Sequence, residues 1–182
     1  LPTTWDLSVL YESFEDPRLE ADWSSVEARA DALLRRLPES GTDGSGLRCD
    51  LRDMQTLWND AIRVLSFVSL TRAADARHAR ALSLQNREAV CRSRLQQVDS
   101  AFCRRAGAVP DLEDRIAADP LLTEHAFFLR DAARRARHAL PAGLEPAVRR
   151  MQLSGSAAFE SLYEQLVGTH TVTLDRDGTT EQ

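Results

Sequence analysis

The chain has 182 residues and a mass of 20.3 kDa, with 43% hydrophobic and 28% charged residues, values that suit one globular domain with its own core and not a disordered chain. A formal net charge of −5 argues against a nucleic-acid protein, because phosphate backbones require a cationic excess. The three cysteines, Cys49, Cys91 and Cys103, form no C-x-x-C pair and suggest neither a disulfide framework nor a thiolate metal site.

No apolar run approaches the roughly 20 residues of a membrane span, and no signal peptide is expected ahead of Leu1. A soluble, cytoplasmic chain, trimmed because it starts at Leu and not Met, is the expectation. At the amino end, Trp5-Asp-Leu-Ser-Val-Leu-Tyr11 places large apolar groups in a segment too short for a core, so it should dock on the helices that follow. Asp16-Pro17 is a strong helix start, since Asp caps the free amides and Pro at the first position gives up no bond. Leu19, Trp23, Val26, Ala30, Leu33 and Leu37 then recur at steps of three and four, predicting a helix over 17–37.

Residues 38–46, with Gly41, Gly44, Gly46 and Pro38, read as a surface loop; they follow a helix and carry no Lys, unlike a phosphate-binding loop. Residues 51–102 read as two long antiparallel helices. Leu51, Met54, Trp58, Ala61, Leu65 and Val68 stripe the first, and Leu84, Cys91, Leu95, Val98 and Phe102 the second, with Glu88 the one non-apolar stripe position. The connection from Thr71 to Arg77 contains no Gly or Pro and should be tight, with Asp75 capping the second helix.

Gly107 ends that helix, and Pro110 opens a short one through Ile116 and Ala118. A second Asp-Pro start, Asp119-Pro120, launches a helix over 121–138 whose buried side is Leu122, Ala126, Leu129, Ala133 and Ala136. Pro141 and Gly143 turn the chain into short helices over 144–153 and 156–167. Thr169 to Leu174 is rich in β-formers and precedes the turn Arg176-Asp177-Gly178-Thr179, so a short β-hairpin over 169–182 is expected, its second strand incomplete. The fold class is all-α: an antiparallel multi-helix bundle with a short carboxy-terminal β-hairpin, in a single domain over 1–182. No internal period suggests a solenoid.

Catalytic constellations are missing. His78, His125, His138 and His170 include no pair four residues apart, no H-E-x-x-H is present, and no Glu lies three residues before a His. His78, Asp75 and Glu88 read as surface or cap residues, and Cys91 and Cys103 as core thiols. No catalytic or metal residue is therefore expected in this chain. The one charged cluster is Arg130, Arg134, Arg135, Arg137 and His138, joined by Arg149 and Arg150 around Pro141. Arg130, Arg134 and Arg137 share a helix face and would present a cationic wall to a peptide, with His138 beside them; the alternative is a solvated face paired with acids such as Asp131 and Glu145.

The stretch Trp5 to Tyr11 resembles the opening segment of the oligoendopeptidase F family, zinc peptidases related to thimet oligopeptidase. Leu129-Arg130, His138-Ala-Leu140, Glu145, Gly155, Ala158-Phe159, Leu162-Tyr163 and Leu166 look like the end of that family's amino-terminal helical region, and 171–178 like the hairpin after it. The resemblance implies that the chain is the amino-terminal part of a longer enzyme. Zinc would belong to the parent protein, held by H-E-x-x-H and a further Glu in a following catalytic domain, and no cofactor to this part. The implied partners are an oligopeptide substrate and that catalytic domain, with neither nucleic acid nor membrane, and the implied role is to wall a channel for short peptides. A neighbouring domain would leave apolar area around Phe159, Leu162, Tyr163 and Leu166 uncovered in this part alone. The rival expectation, from a different class, is a free-standing helical module that holds a partner helix in a groove.

Overall fold

The computed structural model describes residues 6–40, 46–140, 144–169, 174–176 and 179–181. Trp5, the Gly-rich 41–45, the Pro141 and Gly143 corner, His170 and the Asp177-Gly178 turn lie outside the described residues. The fold is all-α, a helical bundle. Its elements are α1 (Pro17–Glu39), α2 (Leu47–Ala74), α3 (Ala79–Ser83), α4 (Gln85–Gly107), α5 (Leu112–Ala118), α6 (Pro120–Glu124), α7 (Ala126–Ala136), α8 (Glu145–Ser154) and α9 (Ser156–Thr169).

Helix α1 begins where Asp16 accepts from the Arg18 amide at 2.9 Å with Pro17 next in line, and all six stripe residues from Leu19 to Leu37 are buried. It outlasts the predicted end, because Pro38 in a last turn forfeits a single bond while the Ser40 amide and hydroxyl both donate back to the Arg36 carbonyl, at 3.0 and 3.1 Å. Ahead of it, Tyr11 docks as expected: its ring meets Phe67 edge-on at 5.3 Å and its hydroxyl donates to Asp22 at 2.8 Å.

The two central helices differ from the expectation at their ends. α2 starts at Leu47, one turn early, behind Gly46. Asp75 closes α2 and accepts from the Arg77 amide; the cap of the next helix is His78, whose Nδ1 accepts from the Ala81 amide at 3.2 Å. That helix is the single-turn α3, and the long partner begins only after Leu84. Likewise 121–138 is broken at His125 into α6 and α7, with Ala132 buried where Ala133 was expected to be. Thr169 closes α9, its hydroxyl donating to the Gln165 carbonyl at 2.6 Å, so a hairpin of the expected length is not seen. The described residues there hold two three-residue strands, β1 (Leu174–Arg176) and β2 (Thr179–Glu181), with Leu174 opposite Glu181 and Arg176 opposite Thr179.

Helix α4 sits at the centre, packed mainly on α1 and α7, while α2 packs mainly on α1. One continuous cluster of buried side chains runs from Tyr11 to Ala132 and draws on every helix from α1 to α7 except the single-turn α3. The approach of α4 to α7 requires Gly107, where a Cβ would lie 2.5 Å from the Ala136 Cβ.

Charges lock α2 to α4 at both ends. Asp50, in the first turn of α2, is 2% exposed and accepts from Arg105 Nε in the last turn of α4 at 3.3 Å and from Arg36 Nη2 at 3.0 Å. At the other end Glu88, in the first turn of α4, accepts from Arg72 in the last turn of α2 and from Arg92, each at 2.8 Å. Glu88 is therefore not the surface residue expected of it but a buried one, because a basic side chain from another helix covers it.

Two substitutions test this packing. Asp50→Ala should cost about 3–5 kcal/mol by stranding the Arg105 charge, whereas Asp50→Ala with Arg105→Met should cost clearly less, read from urea unfolding midpoints; equal losses would show that the two groups are uncoupled. Gly107→Ala should lose about 1–3 kcal/mol by overpacking against Ala136, and an unchanged midpoint would mean that α4 and α7 are farther apart.

Candidate functional site

The arginine face comes together only partly as its spacing suggests. Arg130, Arg134 and Arg137 line one shallow groove of about 570 Å³ with Glu113 and Asp114 of α5, and His138, exposed, lies outside it. Two of these cations are matched by acids. Arg130 grips Glu113 with Nε at 2.9 Å and Nη2 at 2.6 Å, holding that carboxyl below its usual range, and Arg134 reaches Asp131 at 2.5 Å. Arg135 divides itself between Asp99 at 2.8 Å and Asp131 at 3.1 Å. Arg137 makes no ion pair among the described residues. The side chains of Glu145 and Arg149 lie outside the described set.

A second depression, about 640 Å³, opens between α2 and the α6–α7 break. Met54, half-buried Trp58 and half-buried Phe128 form its apolar surface, and Phe128 is stacked on Phe102 of α4 at 5.7 Å. Gln55, Asn59 and His125 are three of its polar lining residues, beside Arg52, Thr56 and Asp99, with the Gln55 amide nitrogen 2.8 Å from His125 Nε2. None of the polar three was singled out by the sequence, which holds no motif around them. The available signal was two side-chain amides four residues apart on one helix, flanking an aromatic residue.

A larger space of about 930 Å³ lies under the amino-terminal segment, against Tyr11, Phe14, Phe67 and His78. Its tyrosine hydroxyl and imidazole are already committed: Tyr11 donates to Asp22, and His78 caps α3 and lies against the Phe14 ring at 5.1 Å.

Among the described residues no group of three His, Cys, Asp or Glu side chains could hold a metal ion, and no helix is long and apolar enough to cross a membrane. Cys91 and Cys103 are buried in the core; burial pushes both thiols up, Cys103 to about 11, which leaves little thiolate near neutral pH. Cys49 is exposed.

The remaining feature is an apolar face. Phe159, Leu162, Tyr163 and Leu166 follow one another at steps of three, one and three along α9, and are 72%, 51%, 68% and 62% exposed. Met151 of α8 is likewise 73% exposed. No protein family, no curated protein and no solved structure matches the chain.

The thiol environments give a direct measurement. Iodoacetamide at pH 8 should add one carbamidomethyl group rapidly, at Cys49, while Cys91 and Cys103 react only after denaturation, as read by mass spectrometry; fast labelling of all three would contradict their burial.

Proposed function

We propose that this chain is the amino-terminal helical region of a cytoplasmic, zinc-dependent oligoendopeptidase, in which it walls a channel for short peptides and contributes no catalytic group. The observation that carries the reading is the uncovered apolar stripe of α9. Four large side chains at helical spacing, all more than half exposed, are what a helix presents when a second domain closes over it. The resemblance of Trp5 to Tyr11 and of Gly155 to Leu166 to the oligoendopeptidase F family supplies the identity of that domain.

In this reading hydrolysis belongs to a zinc-activated water in the following domain. Arg130, Arg134, Arg137 and His138 are candidates for the channel wall, Arg137 being the one of the three arginines with no ion pair among the described residues. The stripe equally suits the rival, a free-standing module that holds a partner helix.

Reading the gene past Gln182 and assaying the product separates the two. The parent reading expects H-E-x-x-H downstream, cleavage of a quenched oligopeptide by the longer protein that a chelator abolishes, and neither cleavage nor stoichiometric zinc for residues 1–182. Metal-dependent cleavage by residues 1–182 alone, or a continuation without the motif, would overturn it.

A further inference from the structure

The groove between α2 and the α6–α7 break holds uncharged polar side chains that are not spent on ion pairs. The Asn59 side chain makes no hydrogen bond among the described residues, and the side chains of Gln55 and His125 bond only each other. With the Gln55 amide nitrogen donating to Nε2, the ring carries its proton on Nδ1, and Nδ1–H and the Gln55 carbonyl remain available; with the amide turned over, the same two residues offer an NH₂ and a bare ring nitrogen. Either way the lining presents both a donor and an acceptor, and Asn59 adds another of each.

Bare charge is scarce there. Asp99 of the lining is taken by Arg135 at 2.8 Å, leaving Arg52 as the one ionic side chain of the lining without an ion pair among the described residues. That pattern disfavours phosphate esters and other multiply charged ligands, which draw on clustered cations. It matches peptide backbone, whose C=O and N–H groups pair with side-chain amides, together with an apolar side chain to fill the space beside Trp58 and Phe128. The volume falls in the range of small-ligand sites. Along α2 the lining runs from Leu51 to Asn59, about 12 Å at the helical rise, which an extended chain covers in about three to four residues.

We propose that this groove is a subsite for a short oligopeptide segment, holding its backbone on Gln55, Asn59 and His125 and one bulky apolar side chain against Trp58 and Phe128. The proposal rests on the peptide-channel reading and moves the principal substrate contact from the arginine face to α2. Gln55 and Asn59 are binding residues here, with no part in bond cleavage.

The test is a titration of the ¹⁵N-labelled chain with a tetrapeptide blocked at both ends and carrying one Phe. The readout is the indole N–H resonance of Trp58, assigned by its loss in Trp58→Phe. A saturable shift is expected. Asn59→Ala, an exposed substitution that leaves the core intact, should weaken binding roughly 3- to 10-fold, the value of one hydrogen bond. Replacing the Phe of the peptide with Gly should remove the shift, and Arg134→Ala and Arg137→Ala should leave affinity unchanged.

No saturable shift, or equal affinity for the Gly peptide, overturns the subsite. Binding lost in the arginine variants and kept in Asn59→Ala also overturns it, while leaving the peptidase reading standing. A continuation without H-E-x-x-H removes the peptidase reading, and the Trp58 titration still decides whether the groove takes peptide.

Discussion

The bundle depends on two buried ion clusters that fix α2 against α4. Asp50 to Arg105 joins the start of α2 to the end of α4, and Arg72 to Glu88 joins the end of α2 to the start of α4. Contacts of this kind at opposite ends define an antiparallel pair and one register, since a shift of a turn would separate both. Every one of the four charges also lies at the helix end that favours it, acids in first turns and bases in last turns. Desolvating such groups is costly, and Arg105 leaves Nη1 and Nη2 with no partner among the described residues. The return is specificity of alignment more than net stability, the role that buried ionic groups fill best.

This alignment lets α4 serve as the central helix. Its faces are divided between α1 and α7, and at its far end Gly107 permits a contact with Ala136 that no larger residue would allow. All the basic residues of the chain are Arg, and the planar guanidinium suits a scaffold in which Arg87 grips Glu20 and Glu27 while lying 4.7 Å from the Trp23 ring centre. Phe102, on the same helix, orients Phe128 for the groove. Scaffold and candidate subsite thus share one element.

Periodicity made most of the scaffold legible. The α1 stripe is buried residue for residue, and the Asp-Pro starts at Asp16 and Asp119 are both real caps, the second accepting from the Leu121 amide at 2.8 Å. The breaks at Leu84 and His125 were not legible, because neither carries Gly or Pro and the apolar stripe continues across each. Asp75 and His78 were confused as caps for a related reason: both can accept from amides, and tertiary position decides which does. Nothing local marks Glu88 as buried, because its partner Arg72 comes from another helix. Pairings of that kind, like the meeting of Gln55 and His125 across 70 positions, leave no trace in local spacing.

The α8–α9 pair obeys a different balance from the rest. Its connection to the body includes a 2.7 Å bond from Gln85 to Ser161 and the close approach of Gly168 to Ala76, and among the described residues it contributes no side chain to the central cluster. A 14-residue helix is marginal in water when it has no packed face. With its apolar stripe turned outward, α9 draws little stability from the bundle, so whatever covers the stripe also sets how firmly the helix is held. Domain docking and helix order are then one event in the proposed parent enzyme, with α9 as the joint between a rigid wall and the part that does the chemistry.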